Sequence, residues 1–183
     1  MRAEATGIKD CYIIHDSVFQ DARGYFFESF NKQKFLSETG LEVDFVQDNQ
    51  SKSSFGVLRG LHFQRGSWAQ AKLVRVIQGR VLDIVVDLRK DSPTFGQHIS
   101  IELSEDSKTQ FFVPRGLAHG FVVLSDQCVF FYKCDNYYNK ESEGGLLYND
   151  PELGIDWKID PDQIILSEKD KTNPPLSQLN NLF

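Results

Sequence analysis

Short extended runs separated by Gly and Pro turns dominate the chain, with little sign of a helical period. Its central stretch runs from Gly56 through Leu58-Arg59-Gly60-Leu61-His62-Phe63-Gln64, and on to Lys72-Leu73-Val74-Arg75-Val76-Ile77-Gln78-Gly79. That reads as strand, turn, strand: β-branched residues crowd 72–77, and Gly79-Arg80 is a turn signal. Alternation along a strand places His62 on the face opposite Leu61 and Phe63. Ile8 to Ile14 reads as a first strand. Asp21 to Gly24 reads as a turn into an aromatic strand, Tyr25 to Phe30. One short helix is expected, with Asn31 as its N-cap, Phe35 and Leu36 on its buried face and Gly40 as its stop. Val43 to Gln50 returns to an extended pattern with Gln47, Asn49 and Ser51 on one face. Arg80 to Leu88 is nearly continuous in apolar residues, as in a strand covered on both sides. Further strands are expected at His98–Leu103, Gln110–Val113, Val122–Leu124 and Val129–Lys133, with Leu117 to Phe121 leading out of the turn at Pro114-Arg115-Gly116. Many short strands without repeats or linkers point to one all-β domain over residues 1–183, a sandwich or jelly roll.

Composition narrows the function classes. At 183 residues the chain can bury a sizeable core, and 40% hydrophobic with 25% charged residues is ordinary for a soluble globule. A net charge of -6 argues against nonspecific nucleic-acid or membrane-surface binding, so any anion site must be local. Cys11, Cys128 and Cys134 form an odd set without a CxxC pair, as expected for reduced thiols in the cytoplasm. No apolar run reaches membrane-spanning length, and the N-terminal stretch lacks an uninterrupted apolar region of the signal-peptide type.

Against that acidic background, Arg59, His62 and Lys72 cluster in sequence. An anion, or a group that becomes anionic during a reaction, is the simplest partner for them. Each residue alone has a plainer reading. An isolated strand histidine is more often a core residue, and Lys72 alone would be a solvated strand lysine. Tyr132 among Phe130 and Phe131 would be core, and Asp170 would be a tail charge. His119 alone would be structural, and Arg23 and Glu28 edge charges. Pattern alone stops at a β domain with an anion site.

Two spacings carry more. Gly56-x5-His62-x-Gln64 resembles the first cupin motif and Pro114-x-Gly116-x-x-His119 the second. Metal-binding cupins have a second His where this chain has Gln64, and a Glu where it has Lys72. A charged lysine cannot ligate a divalent cation, so no metal is expected. The longer set is Asp21-x-Arg23-Gly24, Gln47-x-Asn49-x-Ser51, Arg59-Gly60-x-His62-x-Gln64, Lys72-Leu73-Val74-Arg75, Asp87-Leu88-Arg89, Ser92-Pro93-Thr94-Phe95-Gly96, Pro114-x-Gly116-x-Ala118-His119-Gly120-Phe121, Tyr132-Lys133, Asn149-Asp150-Pro151 and Leu166-Ser167-x-Lys169-Asp170. In that order the set resembles the dTDP-4-dehydrorhamnose 3,5-epimerase family over nearly the whole chain.

The resemblance implies a cupin-type jelly roll, or double-stranded β-helix, with short flanking helices. It also implies cofactor-free epimerisation of a dTDP-4-keto-6-deoxy sugar. His62 would be the base, Asp170 its hydrogen-bond partner, Tyr132 the acid on the opposite face, and Lys72 the cation at the enolate oxygen, helped by His119 or Arg59. Arg59 and Arg23 would address the diphosphate. Phe26, Glu28, Gln47, Asn49, Tyr138, Glu143 and Lys169 would contact nucleotide or sugar. Arg23, Phe26 and Glu28 would reach the neighbouring subunit's site, implying a homodimer. An epimerase inverting only one centre, a ketoisomerase of nucleotide-activated sugars and a non-catalytic sugar-binding barrel remain as alternatives.

Overall fold

The structure, a computed structural model, describes residues 1–180 and 183. The chain opens with β1 (Arg2–Ala5) and β2 (Tyr12–His15), an antiparallel pair. The strand expected from Ile8 begins only at Tyr12. The Thr6 hydroxyl accepts the Ile8 N–H at 3.2 Å and donates to the Cys11 carbonyl at 3.0 Å, so Ile8–Cys11 folds into a turn and Arg2–Ala5 pairs back. Such side-chain bonds compete with the strand ladder.

A two-stranded arm follows, β3 (Phe19–Asp21) and β4 (Gly24–Phe26). Its turn is held by the Asp21 carboxylate, which accepts the Arg23 N–H at 2.8 Å. The aromatic strand expected to reach Phe30 ends at Phe26, because the Ser29 carbonyl is captured by the Gln110 side chain at 2.6 Å. Helix α1 (Lys32–Thr39) starts and stops where expected: Asn31 caps the Lys34 N–H, and Gly40 turns left-handed at φ 72°. Only Phe35 of its expected apolar face is buried. Leu36 is 41% exposed, since adjacent helical residues point about 100° apart.

The remaining strands are β5 (Gln47–Ser54), β6 (Leu58–Gln64), β7 (Lys72–Gln78), β8 (Arg80–Asp87), β9 (His98–Ser104), β10 (Gln110–Val113), β11 (Leu117–Val123), β12 (Gln127–Cys134) and the short β13 (Glu143–Gly145). β11 thus begins at Leu117 and includes the stretch expected only to lead out of the turn at Pro114-Arg115-Gly116. Two sheets result, in the orders β1-β2-β10-β7-β12-β5 and β13-β6-β11-β8-β9. They face one another as a jelly roll around Val74, Val76, Val81, Val85, Phe111, Phe121 and Phe130. The tail, with Leu153, Trp157 and Leu179, covers the outer face of the second sheet over Leu61, Leu82, Ile84 and Val122. β8 is therefore buried on both faces, as its apolar run implied.

Two local features aim the site. On β6, residues Arg59 to His62 span three steps while their partners Phe121 and His119 on β11 span two. This is a bulge of one extra residue. In a regular strand, Arg59 and His62 would point to opposite faces; across the bulge both enter the space between the sheets. Gly60 makes the crossing possible: a Cβ there would lie 2.6 Å from Gly120 Cα, at a φ of 143°. The second feature is a strap formed by the tail. Ile165 pairs beside Val57, its N–H bonded to the Gly56 carbonyl and its carbonyl to the Leu58 N–H, both at 2.9 Å. The strap carries residues 166–170 to the mouth of the barrel.

Candidate active site

A cavity of ≈ 600 Å³ opens between the sheets at the bulge. β6 supplies Arg59 and His62, β11 supplies His119 and Phe121, and β7 supplies Lys72. Phe130 and Tyr132 of β12 and Asn49 of β5 line the other sheet, and the strap closes one side with Ser167, Lys169 and Asp170. His62 and Tyr132 thus stand on different sheets and face one space. Three of the four residues expected to carry the chemistry come from separate strands and the fourth from the tail.

His62 Nε2 lies 2.5 Å from Asp170 Oδ1. The Asp170 side chain is only 4% exposed, far from the solvated tail charge that its sequence position suggested. Burial raises its carboxyl pKa, but the hydrogen bond and charge of His62, with smaller contributions from Ser167 and the Gly60 N–H, outweigh this and hold it below the usual carboxylate range. With Nε2–H donated to Asp170, Nδ1 of His62 is left as the proton-accepting nitrogen.

Lys72 is half-buried, and its ammonium lies 5.9 Å from the centroid of the Tyr132 ring. Burial lowers its pKa, while Cys134, Asp83 and Glu143 oppose that shift. Burial, and next the Cys134 thiol, push the Tyr132 phenol above its ordinary range while Arg59 pulls it back. The phenol is therefore protonated at neutral pH, as a proton donor requires. Arg59 Nε donates to the Ser53 hydroxyl at 3.1 Å, which leaves its terminal nitrogens toward solvent at the mouth.

Two other carboxylates balance the cations. Glu143 accepts from Tyr138 Oη at 3.1 Å and is ion-paired with Lys169. Against its burial, those contacts hold its carboxyl below the ordinary range. Gln47 Nε2 donates to Asn49 Oδ1 at 3.1 Å, and Gln47 Oε1 accepts the Tyr138 N–H at 3.1 Å, tying the rim together. His119 Nε2 sits 2.9 and 3.0 Å from the two oxygens of Asp83. Sequence reading missed Asp83, whose one signal was a carboxylate flanked by apolar residues in mid-strand. It also missed Ser53, which carries no distinguishing signal, and gave Ser167 no role although it stands in the Leu166-Ser167-x-Lys169-Asp170 motif.

Arg23, Phe26 and Glu28 lie away from this cavity in the same chain. Arg23 pairs with Asp21, Glu28 pairs with Lys34 at 2.9 Å, and Phe26 is 70% exposed. At the two positions where metal cupins have ligands, Gln64 accepts the Asn139 N–H at 2.9 Å and Lys72 opens β7 with an amine in place of a carboxylate. Among the described residues no group of three or more His, Cys, Asp or Glu side chains is placed to hold a metal ion.

The family model described as dTDP-4-dehydrorhamnose 3,5-epimerase matches residues 5–178. The chain belongs to the dTDP-4-dehydrorhamnose 3,5-epimerase family. It is 52% identical over 175 residues to the dTDP-4-dehydrorhamnose 3,5-epimerase of Salmonella typhimurium, covering 94% of each chain. The crystal structure of the Elizabethkingia anophelis dTDP-4-dehydrorhamnose 3,5-epimerase superposes with a TM-score of 0.94 at 59% identity, covering 97% of both chains. A Legionella pneumophila dTDP-6-deoxy-D-glucose-3,5-epimerase, solved in complex with dTDP-4-keto-L-rhamnose, gives a TM-score of 0.94 at 45% identity over 98% of this chain and 94% of that one. Members of this epimerase family share the cupin-type jelly roll seen here, and the chain is accordingly an isomerase acting on a nucleotide-activated sugar. Among the described residues no helix is long and apolar enough to cross a membrane.

Proposed function

We propose that the chain inverts C3 and C5 of dTDP-4-dehydro-6-deoxy-D-glucose to give dTDP-4-dehydro-L-rhamnose, a cytoplasmic step of dTDP-rhamnose biosynthesis. The observation that carries this reading is the opposed pair: His62 backed by Asp170 on one wall, Tyr132 on the other, and Lys72 in the same cavity. The C4 ketone acidifies the hydrogens on C3 and C5. His62 Nδ1 takes one of them, and the C–H electron pair moves into an enolate with its charge on O4. Asp170 stabilises the imidazolium so formed. Lys72 faces O4, where a preorganised donor at a developing oxyanion contributes about 2.7–4 kcal/mol. Tyr132 then donates its proton to the opposite face of the carbon, the enolate collapses to the ketone, and the centre is inverted. His62 and Tyr132 return to their starting protonation through solvent. General acid–base transfer of this kind contributes roughly 10²–10⁴-fold. No electron changes hands, so no redox group is needed.

Arg59 would bind the diphosphate, and Gln47, Asn49, Tyr138, Glu143 and Lys169 at the rim would hold nucleotide and sugar. The exposed arm bearing Arg23 and Phe26, with Glu28 beyond it, would complete the site of a second subunit in a homodimer. Its solvent-facing Phe19, Tyr25 and Phe26 favour this assignment, since clustered exposed aromatics mark interfaces. The test is turnover of dTDP-4-dehydro-6-deoxyglucose in D₂O with NMR of the product. One deuteron at C3 and one at C5 is expected. Label at a single carbon would make the chain a single-centre epimerase, and an unlabelled, unchanged sugar would leave only a binding barrel.

A further inference from the structure

Beside the catalytic cavity lies a smaller lobe of ≈ 150 Å³, which shares His62, Lys72 and Tyr132 with it. Much of its remaining wall is amide: Gln47 and Asn49 of β5, Gln64 of β6, and Gln70 from the turn ahead of β7. At about 30 Å³ per water-sized group, such a lobe is too small for a whole nucleotide sugar and roomy enough for one edge of a hexose. Alternation along β6 sets Gln64 on the same face as His62, one pleat further on.

The four amides differ in how far they are committed. Gln47 is engaged at both ends, with Nε2 donating to Asn49 Oδ1 and Oε1 accepting the Tyr138 N–H, both at 3.1 Å. Asn49 has its oxygen on Gln47 and its Nδ2 in a long 3.7 Å contact with the Cys134 sulfur. Gln64 is engaged at one end. Its Oε1 accepts the Asn139 N–H at 2.9 Å, and a backbone N–H can only donate, so this bond settles which end of the amide is oxygen. Nε2 then has no acceptor among the described residues, in a residue only 5% exposed. Gln70 is the complement. Its Nε2 donates to the Asn136 carbonyl at 2.8 Å, which fixes that amide as well and leaves Oε1 without a donor among the described residues.

The lobe therefore offers one fixed N–H donor and one fixed C=O acceptor. A buried polar group left unpaired is costly, so a ligand group that pairs with it is favoured. A 4-keto-6-deoxyhexose presents a ketone, a methyl, ring and anomeric oxygens, and two hydroxyls, on C2 and C3. The methyl can pair with neither amide, and the ketone and ether oxygens can only accept. A hydroxyl accepts and donates at once.

We propose that Gln64 and Gln70 are specificity residues for the sugar: Gln64 Nε2 donates to a ring hydroxyl of the hexose, at C2 or C3, and Gln70 Oε1 accepts from the same hydroxyl. Their task is the choice of sugar, not the movement of protons. Asn139 and Asn136 hold the two amides in place before the sugar arrives, so little ordering is left for binding to impose. This inference deepens the epimerase reading and takes its ligand from it.

The test is isothermal titration of the whole protein with dTDP-6-deoxyglucose and with its 2-deoxy and 3-deoxy forms. None carries the C4 ketone, so none can be epimerised and binding alone is read. Wild type should bind the parent sugar about tenfold more tightly than at least one of the deoxy sugars, and the weaker of the two names the hydroxyl. In Gln64→Met the parent should bind about tenfold more weakly, and its preference over that deoxy sugar should shrink to about twofold or less. Loss of the Asn139 bond in this variant weakens all three sugars alike and cancels in the ratio. Gln70→Met should lose the same preference, and it decides the matter if Gln64→Met fails to fold. Wild type that binds all three sugars equally overturns the proposal, and so does a full preference surviving in either variant. Protein that binds with this preference yet places no deuterium in the ketosugar in D₂O would sink the epimerase reading and leave this one standing.

Discussion

Replacing Asp170 by Asn changes one atom type at the back of the base and leaves the cavity's shape intact. In the native site the carboxylate lies 2.5 Å from His62 Nε2 and is 4% exposed, so solvent screens the pair little. A charge-assisted hydrogen bond stabilises by about 1.5–3 kcal/mol and a neutral one by about 0.5–1.5. The orienting loss alone is therefore about 1 kcal/mol. Proton abstraction adds a larger loss, because His62 becomes a cation facing a neutral amide. Two unit charges about 4 Å apart at an effective dielectric of about 20 attract by about 4 kcal/mol. At about 1.4 kcal/mol per tenfold, the two limits bracket a fall in kcat of roughly 5- to 700-fold. KM should change little, since the expected nucleotide contacts lie at the rim. The assay is the initial rate of deuterium entry at C3 and C5 in D₂O, followed by NMR, with thermal melting to confirm folding. Exchange within about twofold of wild type at both carbons would refute the role of the carboxylate. The sign with pH follows from its depressed pKa: the ionised form persists through the ordinary carboxylate range, and support for His62 fails only as pH falls below that range through the folded-state value.

Three further outcomes are expected. Gly56→Ala places a Cβ 2.2 Å from the Gln163 carbonyl oxygen at a φ of 78°, so it should displace the strap, lower stability by about 2–4 kcal/mol and cut exchange activity, whereas Gly7→Ala, with nothing within 4 Å, should leave melting temperature and rate unchanged. Asp87 is buried, yet bonds from Arg89, Ser92 and Thr94 hold its pKa at about 2, below the ordinary 3.8. Its stabilisation of ~2 kcal/mol should be complete above pH 4 and lost as pH falls from there to about 2, so denaturant curves of wild type and Asp87→Asn should differ at pH 7 and converge at low pH. If the arm completes a neighbour's site, mixing the inactive variants Arg23→Ala and His62→Asn under subunit exchange should restore about a quarter of wild-type activity, and no recovery would place Arg23 in its own chain's site.

Much of this architecture is legible in the residues because its signals are local. Gln110–Val113 forms a strand at the expected bounds, Asn31 and Gly40 delimit the helix, and the apolar run at 80–88 is covered on both faces. What escaped reading depends on partners distant in sequence. The Ile8 strand fails because one hydroxyl, Thr6, diverts its ladder, and Leu36 is exposed because the sheet covers only one line of α1. His62 and Lys72 were recognisable through motif order, but their convergence with Arg59 depends on a bulge that no alternation pattern encodes. Asp83 looked like an interruption of a strand; only the fold shows that it faces His119.

The strap has a bearing on when the molecule becomes competent. His62 and its aspartate are separated by 108 positions, and the aspartate is delivered by a segment translated after every strand of the barrel. The barrel strands can all pair before that segment exists. A nascent chain halted ahead of Asp160 would therefore hold a sugar-shaped cleft with an unsupported imidazole, unable to scramble the stereochemistry of ketosugars it meets. Competence is deferred until the strap has followed the last strand, and clipping the chain ahead of Asp160 would remove the base's carboxylate without removing any strand.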